Sequence, residues 1–151
     1  MPEVTSGDGE KTVKRFATML VAAALAAGLP ALADEAALGI KVRKQSGINY
    51  ITGGIGDEAK AFEQLAPRYP VQMLFTVGGE HAQIRGVKVT VRDIKGDAVL
   101  EANAEGPMFF INTPSGRWTF EAEWNGEKQS KVKDQTGRRY LVMDFDFKKP
   151  E

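Results

Sequence analysis

The 151-residue chain has room for one domain, and its 20 Lys+Arg against 20 Asp+Glu give zero formal net charge. That balance argues against a general nucleic-acid binder, which carries a basic surplus to offset phosphate, and against a charged disordered tail. Without a cysteine there is no thiol catalysis, no cysteine-based zinc or iron–sulfur site, no disulfide and no lipid-modified cysteine, so stability must come from packing.

Residues 11–33 have the layout of a secretory signal peptide. Lys11, Lys14 and Arg15 form a positive start, residues 16–28 an uncharged apolar stretch, and Leu29-Pro30 a helix break. Ala31-Leu32-Ala33 supplies the small-x-small pattern that a signal peptidase accepts, which predicts cleavage after Ala33. The apolar run is shorter than the roughly 18–25 residues that span a bilayer. The acidic stretch ahead of it, with Glu3, Asp8 and Glu10, is unusual for such a start, and a true start near Val13 accounts for it. Removal of three basic and three acidic residues leaves the mature chain neutral. The sequence thus predicts a periplasmic or secreted product with no membrane span in the mature chain.

An N-terminal segment, residues 34–70, comes next. Its first dozen residues are mixed in character. INYITGGIG, residues 48–56, has glycines at 53, 54 and 56 that loosen the backbone. Asp57 is placed to cap a short helix over 57–66, with Glu58 near its positive end and Phe62, Leu65 and Ala66 on one apolar stripe.

From Val71 the period changes to two, and residues 71–148 are read as the β-sandwich domain. Val71, Met73, Phe75 and Val77 share one strand face, as do Val87, Val89 and Val91. Residues 93–97 turn the chain into Ala98-Val99-Leu100, and residues 107–111 form a short apolar strand. After Pro114-Ser115-Gly116, the residues Trp118, Phe120, Ala122 and Trp124 alternate with Thr119, Glu121 and Glu123. Asn125-Gly126 is a strong type I′ hairpin signal. Residues 127–133 return as a polar edge strand whose Lys128, Lys131 and Lys133 discourage edge-to-edge pairing. Residues 138–147 close the fold with Leu141, Met143, Phe145 and Phe147 on one face. The prediction is an all-β, antiparallel, prealbumin-like or Ig-like sandwich of about seven strands, preceded by a short helix.

Residues 86–97 (GVKVTVRDIKGD) and 112–126 (NTPSGRWTFEAEWNG) resemble carboxypeptidase regulatory-like domains, which are prealbumin-like β-sandwiches, and residues 71–147 fit that plan. Together with the GGIGDE segment at 53–58, the chain is similar to small exported proteobacterial proteins that carry this module. The resemblance implies a non-catalytic binding or attachment domain. Related sandwiches with enzymatic activity, the transthyretin-like urate-pathway hydrolases and the intradiol dioxygenases, need several histidines, and this chain has only His81.

Chemistry-bearing residues are sparse. His81 reads as an exposed loop histidine, with weak metal ligation beside Glu80 as the alternative. Asp144/Asp146 and Glu121/Glu123 are pairs two apart on strands, and alternation with core residues accounts for them as solvated faces; acid/base work or calcium binding is the alternative. Gly53-Gly54-Ile55-Gly56 lacks the Lys-Ser/Thr of a phosphate loop, and acidic residues follow it, so it reads as a connection or a docking segment. Trp118 and Trp124 match the register of Phe120 and are expected in the core, while Tyr50 and Tyr69 lie outside the predicted core strands.

The expected function is a non-enzymatic envelope interaction or accessory module with an envelope protein partner, and with no catalytic, metal or cofactor residues. Its interaction surface is assigned to Tyr50, Gly53, Gly54, Gly56, Tyr69 and Trp124. The alternative is a small-ligand or carbohydrate-binding protein that uses exposed aromatics.

Overall fold

Every second residue of Val71–Val77 is buried, as Val71, Met73, Phe75 and Val77, and the same period buries Met143, Phe145 and Phe147 in Leu141–Phe147. A strand with one such face needs a second layer over it, and the chain supplies one. The computed structural model describes residues 35–80, 84–137 and 139–150. The predicted signal peptide with its cleavage point, and His81, lie outside the described residues. The chain divides into two units after Gly39, and all the described strands belong to the second.

Among the described residues, nine strands make two sheets. The first contains β1 (Arg43–Gln45), β2 (Ile48–Gly53), β6 (Met108–Ile111), β3 (Val71–Val77) and β9 (Leu141–Phe147), in the order β1-β2-β6-β3-β9. The second contains β5 (Ala98–Asn103), β4 (Lys88–Arg92), β7 (Gly116–Trp124) and β8 (Glu127–Gln135), in the order β5-β4-β7-β8. The predicted sandwich is therefore present, with a helix, α1 (Glu58–Leu65), and a 3-10 turn at Ala66–Arg68. One pairing departs from the antiparallel plan: β3 and β9 run parallel, in register from Val71↔Leu141 to Val77↔Phe147.

Between the sheets, Phe75, Phe109, Phe120, Phe145 and Phe147 are each no more than 1% exposed. Full burial of such a side chain contributes about 1.5–3 kcal/mol. Trp118 and Trp124 are only partly buried at the margin of this core. A second, smaller cluster lies on the outer face of the first sheet. Ile51 and Phe110, directly paired across β2 and β6, are buried with Phe62, Leu65 and Tyr69. Phe62 of α1 meets Phe110 edge-on at 5.3 Å.

Three expectations for residues 34–70 are corrected. The sandwich begins at Arg43 rather than Val71, because β1 and β2 belong to the first sheet. Residues 48–53 form a strand rather than a loosened segment. Asp57 makes no side-chain cap and itself has helical φ and ψ, so the helix runs from Glu58 to Leu65. The first amides are satisfied by tight backbone turns instead, with the N–H groups of Glu58, Ala59 and Lys60 donating to the carbonyls of Ile55, Gly56 and Asp57.

Candidate functional site

Gly53 and Gly54 ahead of α1, and Gly106 ahead of β6, are packing residues. A Cβ on Gly53 would sit 2.1 Å from Glu58 Oε1, one on Gly54 would be 2.8 Å from Met108 Sδ, and one on Gly106 would be 2.3 Å from the Gly53 carbonyl oxygen. The Gly54 N–H donates to Glu58 Oε1 at 2.7 Å. This segment is thus held in place by neighbours that occupy the space of missing side chains. Gly56 alone of the predicted glycines is exposed with open space around it, at φ +63°.

Tyr50 and Tyr69 do not lie outside the core. Tyr50 points between the sheets at 4% exposure and stacks on Phe109 at 5.2 Å. Tyr69 is 3% exposed, with its ring 6.4 Å from that of Phe110. Tyr50 was hidden in the sequence because β2 buries residues on both faces, which erases the alternation. The six residues of the predicted surface are therefore not one site. Tyr50 and Gly53 belong to β2, Gly54 and Gly56 to the connection between β2 and α1, Tyr69 to the layer under α1, and Trp124 to the side of the sandwich where β9 lies.

Two adjoining clefts open beside β2 and β5. One, of about 370 Å³, is lined by Arg43, Gln45, Tyr50, Thr52 and residues 101–105. The other, of about 600 Å³, is lined by Ile55, Glu58, Arg85, Ala104 and Glu105. Arg43 and Glu105 form an ion pair across the first. Gln45 also spans it: its Nε2 donates to the Glu101 carbonyl at 2.7 Å, and its Oε1 accepts the Glu101 N–H at 3.0 Å. One side-chain amide thereby acts as a neighbouring strand for the edge of β5.

A third cleft, of about 420 Å³, is lined by Trp124, Asn125, Gly126, Glu127, Lys148, Lys149 and Pro150. Asn125 and Gly126 both have positive φ, as the predicted hairpin requires. The Trp124 ring rests against Phe147 at 5.9 Å. Glu127 is committed on both oxygens, to the Lys148 N–H at 2.9 Å and to Gln129 Nε2 at 3.0 Å. Gln129 in turn donates to the Asp146 carbonyl at 2.6 Å. Neither Gln45 nor Gln129 carries a sequence signal for these roles, since each is one polar residue in a polar strand.

Asp146 and Glu121 of the predicted carboxylate pairs are each engaged by neighbouring groups. Asp146 Oδ1 accepts the Thr76 hydroxyl and the Gly79 N–H, both at 2.7 Å, and the hydroxyl first, then the amide, holds this carboxyl below its ordinary range. Its partner in the predicted pair, Asp144, is exposed, as Asp146 itself is. Glu121 lies beside Arg92 at 3.1 Å and Lys128 at 3.6 Å. Among the described residues no group of three or more His, Cys, Asp or Glu is placed to hold a metal.

No family model matches the chain, and no curated protein does. Among solved structures, it is similar to the Bacillus anthracis TIE protein at 12% identity and a TM-score of 0.41, over 52% of this chain and 16% of that one.

Proposed function

We propose that this chain is an exported, non-enzymatic β-sandwich module of the prealbumin-like kind that binds an envelope protein or component through the sides of its sandwich. One observation carries the reading. The carboxylates best placed for chemistry serve as struts: Asp146 holds the Gly78-Gly79 turn, Glu58 the Gly54 amide, and Glu127 the backbone of Lys148. What is left for other molecules is surface. The signal-peptide pattern of residues 11–33 supplies the compartment in this reading.

The test is a pull-down from crosslinked whole cells with the tagged, processed protein, read by mass spectrometry. One dominant envelope partner is expected. A protein that emerges alone would shift the function to the second reading, a small-ligand or carbohydrate site, which rests on the partly exposed Trp124 indole between Asn125 and Lys148. That reading expects glycans to change tryptophan emission in the wild type and not in Trp124→Phe.

A further inference from the structure

The four sheet edges are not protected alike. β1 has only three residues. The edge of β5 is occupied at Glu101 by the Gln45 amide. The edge of β9 is met at Asp146 by Gln129. β8 is the longest, at nine residues, and its outward backbone groups follow from the register. A two-residue turn makes Trp124↔Glu127 a hydrogen-bonded pair. Alternation then directs Glu127, Gln129, Lys131, Lys133 and Gln135 toward β7, and turns the N–H and C=O groups of Lys128, Ser130, Val132 and Asp134 away from the sheet. None of those outward groups has a backbone or side-chain partner among the described residues. The exposed amides thus form a template for one more strand.

Charge selects what fits there. Between Lys128 and Lys133 the strand carries three cations and no anion. Lys131 and Lys133 make no ion pair among the described residues; Lys131 Nζ instead lies 5.2 Å from the centre of the Phe145 ring. Outward-facing Val132 is 60% exposed. This lysine pattern opposes pairing with a second, equally basic β8 and favours an anionic strand. We infer that β8 is a docking edge for an extended acidic segment of a partner protein, which adds as an antiparallel strand and alternates carboxylates with small or β-branched residues. The inference rests on the proposed interaction function and names the partner's chemistry.

The test uses a fluorescent, end-blocked nine-residue peptide that alternates glutamate with valine and threonine, matched in length to β8, and its lysine counterpart. Anisotropy is expected to show binding of the acidic peptide that weakens with salt, and no binding of the basic one. Ser130→Pro removes one outward amide and no ladder hydrogen bond, so the fold tolerates it at an edge while affinity falls at least tenfold. The double variant Lys131→Glu/Lys133→Glu keeps every amide, loses the acidic peptide by at least tenfold and gains the basic one. Failure of the acidic peptide to bind, or unchanged affinity in both variants, overturns the inference. A dimer of the wild type that Ser130→Pro dissolves overturns it in favour of a second copy. An envelope partner captured equally by wild type and Ser130→Pro overturns the β8 edge and leaves the interaction function standing; failure to capture any, with peptide binding intact, removes the envelope assignment alone.

Discussion

Asp146 shows how one carboxylate fixes a turn. The Thr76 hydroxyl, and after it the Gly79 amide, bind its ionised form, so its folded pKa lies below the unfolded value of about 3.9. A depressed pKa means the stabilisation is present above the unfolded value and is lost as pH falls through the folded one. Asp134 is held down in the same direction by its hydrogen bond to Arg117. Acid unfolding of the wild type therefore includes both groups, and Asp146→Asn removes one of them. In thermal melts between pH 2 and pH 6, the variant is expected to have a lower Tm than wild type near pH 6, with the gap closing as pH falls below 4. A gap that stays constant down to pH 2 would mean that ionisation of Asp146 does not hold the turn.

At the scale of elements, the junction of β2, α1 and the loop before β6 is built on missing side chains. Gly106 and Gly137 offer a matched comparison, since both have ordinary φ. A Cβ on Gly106 runs into the Gly53 carbonyl at 2.3 Å, whereas one on Gly137 meets only the Ser115 hydroxyl at 3.3 Å. Backbone cannot yield as a hydroxyl can, so Gly106→Ala should lower the unfolding free energy in urea by about 1–3 kcal/mol, and Gly137→Ala by less than about 0.5 kcal/mol. The same junction shows what the sequence could and could not convey. β3, β4, β7 and β9 each have a wet face and a dry face, and period two exposed them. β2 is covered on both faces, by the sandwich at Ile48 and Tyr50 and by α1 at Ile51. Its glycines imitate a loop because glycine's close approach and glycine's freedom leave the same letter. Tyr50 is hidden for that reason, whereas Tyr69 follows the 3-10 turn at Ala66–Arg68, where no strand or helix period marks a residue as buried. The clefts escaped too, since Arg43, Arg85 and Glu105 come together only through strand order.

Across the whole molecule, β9 joins what the sequence keeps far apart. It pairs with β3, whose Thr76 is 70 residues from Asp146, and sends Phe145 and Phe147 against Phe75 at 5.9 and 6.4 Å. Phe147 also meets Trp124 of the other sheet at 5.9 Å. A core shared in this way cannot lose one sheet and keep the other, because each buries its apolar face on the other. Without disulfides, that burial is the chief source of stability, and the net stability of such domains is only about 5–15 kcal/mol. Phe145→Ala should therefore cost about 3–5 kcal/mol and act on both sheets together. Tryptophan emission reports the second sheet through Trp118 and Trp124, and far-UV circular dichroism reports all strands. Their urea transitions are expected to coincide in the wild type and to move by the same amount in the variant. If emission held its midpoint while the dichroism shifted, the second sheet would be stable without β9. The β8 edge would then belong to a smaller independent unit, and strand addition there would leave the first sheet unaffected. Coincident transitions make the opposite prediction: a strand bound at β8 stabilises the whole sandwich, so acidic peptide raises both midpoints together.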